Sequence, residues 1–268
     1  MIKAIAVDMD GTFLNSNNDY NRARFEQLFS ELLKRNIKFI VASGNQYAQL
    51  RSFFPNKGQE ITFVSENGAL IFEKNQLIQK TIFDQTTVHE VLELLLDLPF
   101  PVGIILCGVS QAYLLKREPE EFKKFAQKYY YQLTELDSFS FLPKDNFVKF
   151  ALQVPEGKVE ELVRFINQQF DGKVVAVSSG HDSVDLIIPH VHKGKALQKL
   201  LEKWSIDHRE LLAFGDGNND LEMLALAGEN YAMKNGSKEV LERAHSIAPS
   251  NDDEGVLTVI ESLLFGQN

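Results

Sequence analysis

Two aspartates stand two residues apart in Asp8-Met9-Asp10-Gly11-Thr12, directly after the apolar run Ile2-Lys3-Ala4-Ile5-Ala6-Val7. The run is short and almost continuously apolar, which suits a buried strand of a parallel sheet. It delivers two carboxylates into a glycine turn, at the sheet edge where open α/β folds bind ligands. Like charges so close repel, and desolvation raises their pKa values. A divalent cation lets both stay ionised, and Mg²⁺ commonly takes one or two carboxylates together with substrate phosphate. Read alone, Asp10-Gly11 is first of all an ordinary turn.

Three further polar clusters follow predicted strands or open a helix: Ser43-Gly44, Lys193-Gly194, and Gly215-Asp216-Gly217-Asn218-Asn219-Asp220 after Leu211-Leu212-Ala213-Phe214. Parallel strands put their carboxyl ends on one edge, so these loops can converge. Phosphoryl transfer needs a nucleophile, charge neutralisation and a proton donor for the leaving group. Asp8, nearer the rigid strand, is the candidate nucleophile, and Asp10 the candidate acid/base. Asp216 can complete a Mg²⁺ shell with Asp8 and a backbone carbonyl. Ser43, Lys193 and Asn219 can hold phosphate oxygens, with Met9 and Gly44 alongside.

The elements that must position these residues come from periodicity. Residues 1–82 read as strand, helix, strand, helix, strand, with Asn67-Gly68 turning Ala69–Phe72 back as a hairpin. Residues 83–189 change grammar to helices and paired strands, an α+β domain on an antiparallel sheet. The βα alternation resumes over 190–268. The expected fold is therefore a Rossmann-like, doubly wound α/β core interrupted after its third strand by an α+β insertion. Asp220 is readable as the cap of a helix beginning at Leu221.

The chain has 268 residues, a net charge of −9 and one cysteine. Excess negative charge argues against nucleic acid or anionic membrane as partners. Cys107 cannot form an intrachain disulfide, which fits a reducing, cytoplasmic location. No apolar stretch is long enough to span a bilayer. His190-x-His192 offers two nitrogen ligands without a third, so packing or solvated histidines are expected there. His181 and Asp182, in a hairpin loop of the insertion, read first as turn residues and second as substrate contacts.

At its four motifs the sequence resembles the haloacid dehalogenase superfamily. Asp8-Met9-Asp10-Gly11-Thr12 is similar to its first motif, Ser43 to its second, Lys193 to its third and Gly215–Asp220 to its fourth. The resemblance implies Asp8 as nucleophile and Asp10 as acid/base. It places Mg²⁺ on Asp8, the Asp10 main-chain carbonyl and Asp216, with Thr12 and Asp220 supporting from behind. The long insertion and the return through Lys193-Gly194-x-Ala-Leu resemble the Cof-type branch, whose members carry an α/β cap and mostly hydrolyse sugar phosphates. Many of them have Ser-Gly-Arg where this chain has Ser43-Gly44-Asn45.

The expectation is a Mg²⁺-dependent phosphatase of a small phosphorylated metabolite, a monomer or weak oligomer, with 83–189 as the specificity cap. A phosphomutase using the same chemistry stays open, as does a non-enzymatic phospho-acceptor module.

Overall fold

The computed structural model describes residues 1–180 and 182–266. In chain order the first elements are β1 (Ala4–Val7), α1 (Arg22–Lys34), β2 (Lys38–Ala42), α2 (Tyr47–Phe53), β3 (Ile61–Ser65), β4 (Leu70–Glu73) and β5 (Gln76–Lys80). Next come α3 (Gln85–Leu96), β6 (Gly103–Gly108), β7 (Ala112–Leu115), α4 (Glu120–Tyr129), β8 (Leu133–Leu136), β9 (Phe147–Gln153), α5 (Val159–Gln169), β10 (Val175–Gly180) and β11 (Ser183–Ile187). The chain closes with α6 (Lys193–Trp204), β12 (Leu211–Gly215), α7 (Leu221–Leu226), β13 (Glu229–Met233), α8 (Lys238–Arg243), β14 (Ser246–Ala248) and α9 (Gly255–Phe265). Two compact units result: Met1–Gln79 with His192 onward, and Lys80–Val191.

The first unit holds a sheet in the order β14-β13-β12-β1-β2-β3-β4-β5. Its strands from β14 to β3 are parallel, and β4 turns back antiparallel to β3. The period-2 alternation of side chains divides each central strand between two cores. Ile5 and Val7 of β1, Phe39 and Val41 of β2, and Leu212 and Phe214 of β12 face the cluster that includes α1 and α9. Ala4, Ala6, Ile40, Ala42, Leu211 and Ala213 face the cluster formed with α6, α7 and α8. Both faces are covered, which explains the unbroken apolar runs of these strands.

Immediately after the acidic turn, Phe13 inserts into an aromatic group. Its ring centroid lies 4.9 Å from Tyr20, 5.3 Å from Phe25, 5.7 Å from Phe54 and 5.9 Å from Phe39. The main-chain carbonyl of Met9, whose side chain is also buried, accepts the N–H groups of Thr12, Phe13 and Leu14. The turn carrying Asp8 and Asp10 is thus tied to rigid core on its far side.

The second unit has the strand order β10-β11-β9-β6-β7-β8. Its pairs are antiparallel except β7 with β8, which is parallel. An antiparallel sheet throughout is therefore corrected to a mixed one. Leu133-Thr134-Glu135-Leu136 is short and half polar, which hid β8 from periodicity; β5, with its exposed Leu77 and Ile78, was hidden likewise. The second unit, Lys80–Val191, begins at the end of β5. Among the described residues no helix is long and apolar enough to cross a membrane.

Close helix packing sets one glycine. A Cβ on Gly194 in α6 would lie 2.5 Å from the Glu222 carbonyl oxygen of α7. Alanine is the better helix former by about 1 kcal/mol, yet overpacking costs typically 1–3 kcal/mol. Gly194→Ala is expected to lower the urea midpoint, the reverse of what propensity predicts; chemical denaturation followed by circular dichroism checks the sign.

Candidate active site

Register makes the site. Val7 of β1 lies opposite Phe214 of β12 and Val41 of β2, so the three strands end nearly level. The next residues on each chain, Asp8, Gly215-Asp216 and Ala42-Ser43, therefore emerge on one edge. Gly11 permits the close approach that follows: it holds φ +73°, and a Cβ there would collide with the Asp216 carboxylate.

Lys193 is the centre. It is fully buried at the start of α6, and its Nζ donates to Asp8 Oδ1 at 2.6 Å and to Asp220 Oδ1 at 2.7 Å. Asp220 Oδ2 accepts the main-chain N–H groups of Asp216 and Gly217, each at 3.0 Å. Asp220 thus reaches back to organise the Asp216 loop, and makes no side-chain cap on α7. Thr12 Oγ1 donates to Asp216 Oδ1 at 2.7 Å. His192 caps α6, its Nδ1 accepting the Lys195 N–H at 3.2 Å. One carboxylate oxygen each of Asp8, Asp216 and Asp220 lies within 4.8 Å of the others.

One lysine therefore faces three acids. Burial would discharge Lys193, but Asp220 and Asp8 outweigh it and hold its pKa above the ordinary range. The same lysine charge is shared, so Asp8 is left undercompensated: burial, with help from Asp220 and Asp216, pushes its carboxyl well up. Burial likewise raises Asp216 to about 6, against the hydrogen bond from Thr12. Excess negative charge on oxygen donors is the chemistry of a hard divalent cation. Both Asp220 oxygens are already engaged, so Asp8 and Asp216 are the carboxylates suited to hold one.

A second group lines the same edge. Ser43 is buried, and its Oγ accepts the Asn45 N–H at 3.1 Å. Asn45 Nδ2 donates to Oδ2 of the exposed Asp10 at 2.6 Å. Asn219 Nδ2 donates to Asn67 Oδ1 at 3.2 Å. Asn67 also donates its N–H to the Ser43 carbonyl, and a Cβ on Gly44 would sit 3.0 Å from its Oδ1. The structure thus brings Asp8, Met9, Asp10, Thr12, Ser43, Gly44, Lys193, Asp216, Asn219 and Asp220 onto one edge. The sequence pattern alone marks Asn67 only as a hairpin residue. The signal was available, since Glu66-Asn67-Gly68 is a polar cluster after a core strand, like the others. Asp182 is an exposed turn residue of the second unit, its carbonyl accepting the Val154 N–H at 2.8 Å. His181 lies outside the described residues.

A doubly wound sheet with acids, a buried lysine and a hydroxyl at its carboxyl edge defines a class. The family model for haloacid dehalogenase-like hydrolases matches residues 5–260, and the chain belongs to that family. Among its relatives is the 5-amino-6-(5-phospho-D-ribitylamino)uracil phosphatase YbjI of Escherichia coli K12. The two are 42% identical over 263 residues, covering 98% of this chain and 96% of that protein. A phosphatase of the same designation from Bacillus subtilis, YwtE, is 26% identical over 297 residues, covering 99% of each. The crystal structure of SMU.1108c from Streptococcus mutans UA159 matches with a TM-score of 0.93 at 40% identity, covering 98% of this chain and 99% of that one. The protein is a phosphoric monoester hydrolase.

Breaking a buried ion pair by removing one partner typically costs 3–5 kcal/mol. Lys193→Met, which strands Asp8 and Asp220, is expected to lose about that much in urea unfolding monitored by fluorescence. The raised Asp216 pKa also sets a sign. The native state keeps this proton up to about pH 6, whereas the ordinary carboxyl releases it near 3.8. The associated stability is complete below 3.8 and is lost as pH rises through 6, on the order of 3 kcal/mol. In chelator, unfolding free energy should fall across that window, and Asp216→Asn should flatten the fall.

Proposed function

We propose that the protein hydrolyses small phosphomonoesters through an aspartyl-phosphate on Asp8, with Mg²⁺ as cofactor. The observation that carries this is Asp8 itself, fixed by Lys193 at the end of β1 beside Asp216. Asp8, Asp216 and the Asp10 main-chain carbonyl would hold the ion, and once bound it neutralises the acids and the phosphate charge.

The chain's own residues account for the reaction. The Asp8 carboxylate attacks phosphorus, and the bond from phosphorus to the ester oxygen breaks with its electron pair on that oxygen. Protonated Asp10 gives that oxygen its proton, and the alcohol leaves. Water then attacks the aspartyl-phosphate and gives a proton to Asp10, and Asp8 is released as carboxylate with inorganic phosphate. Lys193 keeps Asp8 oriented, and Ser43, Gly44, Asn219 and the Met9 main chain receive the phosphate oxygens. Thr12 and Asp220 hold Asp216 and its loop.

For substrate class, the relative of 42% identity is named for a compound whose phosphate sits on a ribitylamino chain. This favours a phosphate carried by a sugar or polyol. We assign the choice among such compounds to the unit Lys80–Val191, with Asp182 as a candidate contact. The buried Cys107, the one cysteine of the chain, fits a reducing cytoplasm.

The test is phosphate release from a panel of sugar and polyol phosphates, with Mg²⁺ and with chelator. Activity should require the metal, and Asp8→Asn should lose about a thousandfold or more in kcat. Undiminished turnover in Asp8→Asn would sink the nucleophile. Free phosphate released one-for-one with alcohol separates hydrolysis from transfer to a second sugar hydroxyl.

A further inference from the structure

Asp10 differs from the other acids of the site in being exposed. An exposed carboxylate samples several rotamers, whereas proton transfer requires one oxygen held within hydrogen-bond reach of the reacting group. Asp10 has a single clamp. Asn45 Nδ2 donates to its Oδ2 at 2.6 Å, and among the described residues Oδ1 accepts no protein hydrogen bond.

Asn45 is itself anchored at both main-chain groups. Its N–H donates to Ser43 Oγ at 3.1 Å, and its carbonyl accepts the Glu66 N–H at 3.3 Å. The turn that supplies this last donor holds Glu66 at φ +50° and Asn67 at φ +56°, two successive left-handed residues that are not glycine. Such backbone persists where the surroundings enforce it. The side-chain amide of Asn45 is thus presented to Asp10 from a fixed support formed by β2 and the end of β3.

An amide NH₂ donates and cannot accept. Its contact therefore occupies Oδ2 as an acceptor and turns Oδ1 toward the open side of the site. We propose that Asn45 is the positioning residue of the acid/base: it selects Oδ1 of Asp10 as the one oxygen that gives and recovers the proton. This rests on the reading of Asp10 given above. Oδ1 releases its proton to the ester oxygen as the bond from phosphorus to that oxygen breaks and its electron pair moves there. Oδ1 then takes a proton from the water whose oxygen bonds to phosphorus.

The consequence is selective for leaving group. An alkoxide needs its proton as the bond breaks, whereas 4-nitrophenolate leaves with little help. Asn45→Ala and the similarly sized, uncharged Asn45→Leu both remove the donor, and the second keeps the bulk should the first fold poorly. The measurement is kcat/KM, which reports the first chemical step, for 4-nitrophenyl phosphate and for ribitol 5-phosphate in Mg²⁺ buffer. The ratio of the two is expected to rise about tenfold or more in either variant. Mg²⁺ affinity by calorimetry should stay at the parent value, because Asn45 touches none of the carboxylates assigned to the ion. A ratio within about threefold of the parent, or an equal loss on both substrates, overturns the proposal. Asp8→Asn run alongside separates the failures: loss of its turnover with an unchanged Asn45 ratio refutes only the role of Asn45.

Discussion

Three carboxylates share one buried ammonium at the carboxyl edge of the sheet. That charge imbalance is what the surrounding structure has to contain. Burying an unpaired ion is far more costly than any single packing contact in the core. Lys193 therefore tolerates full burial only because Asp8 and Asp220 meet it from two other strands' loops. The remaining negative charge raises Asp8 and Asp216, and it is stabilised by whatever positive charge enters. The residues that stabilise the site and those proposed to react are the same residues.

Holding that arrangement falls to the sheet. Parallel pairing in register brings β1, β2 and β12 to a common end, and alternation of side chains sends half of each strand into each of two cores. Small side chains at Ala4, Ala6, Ala42 and Ala213 lie on the α6 and α7 side, which is the side that carries Lys193. Gly194 lets α6 approach α7, and Gly11 lets the first loop approach Asp216. On the opposite face Phe13 anchors the acidic turn among the rings of Tyr20, Phe25, Phe39 and Phe54. Rigidity comes from packing on both sides, and the polar groups only refine it.

The two acids of the first motif have opposite environments by construction. Asp8 ends the strand and is buried, so its position is set by the core and by Lys193. Asp10 lies within the turn and is exposed, so its position depends on a neighbouring loop, through Asn45. A nucleophile gains from being fixed, and an acid/base must exchange protons with leaving group and water. Two carboxylates two residues apart thus have different environments, one facing protein and the other solvent, which suits the separate roles proposed for them.

The sequence by itself determined the elements and the inventory. Apolar runs gave the parallel strands, helical stripes gave α1, α6 and α9, and polar clusters after strands marked Asp8, Asp10, Ser43, Asp216 and Asp220. What it missed were elements whose side chains are half polar or exposed, β5 and β8, since periodicity is legible only where one face is buried. It also read Asn67 as a turn residue only, because a local pattern cannot show a partner 152 residues away, as for Asn67 and Asn219. Which donor meets which acceptor was decided by tertiary structure. Strand register and helix approach set those distances, and hydrogen bonds and buried ion pairs depend on them to within a few tenths of an ångström.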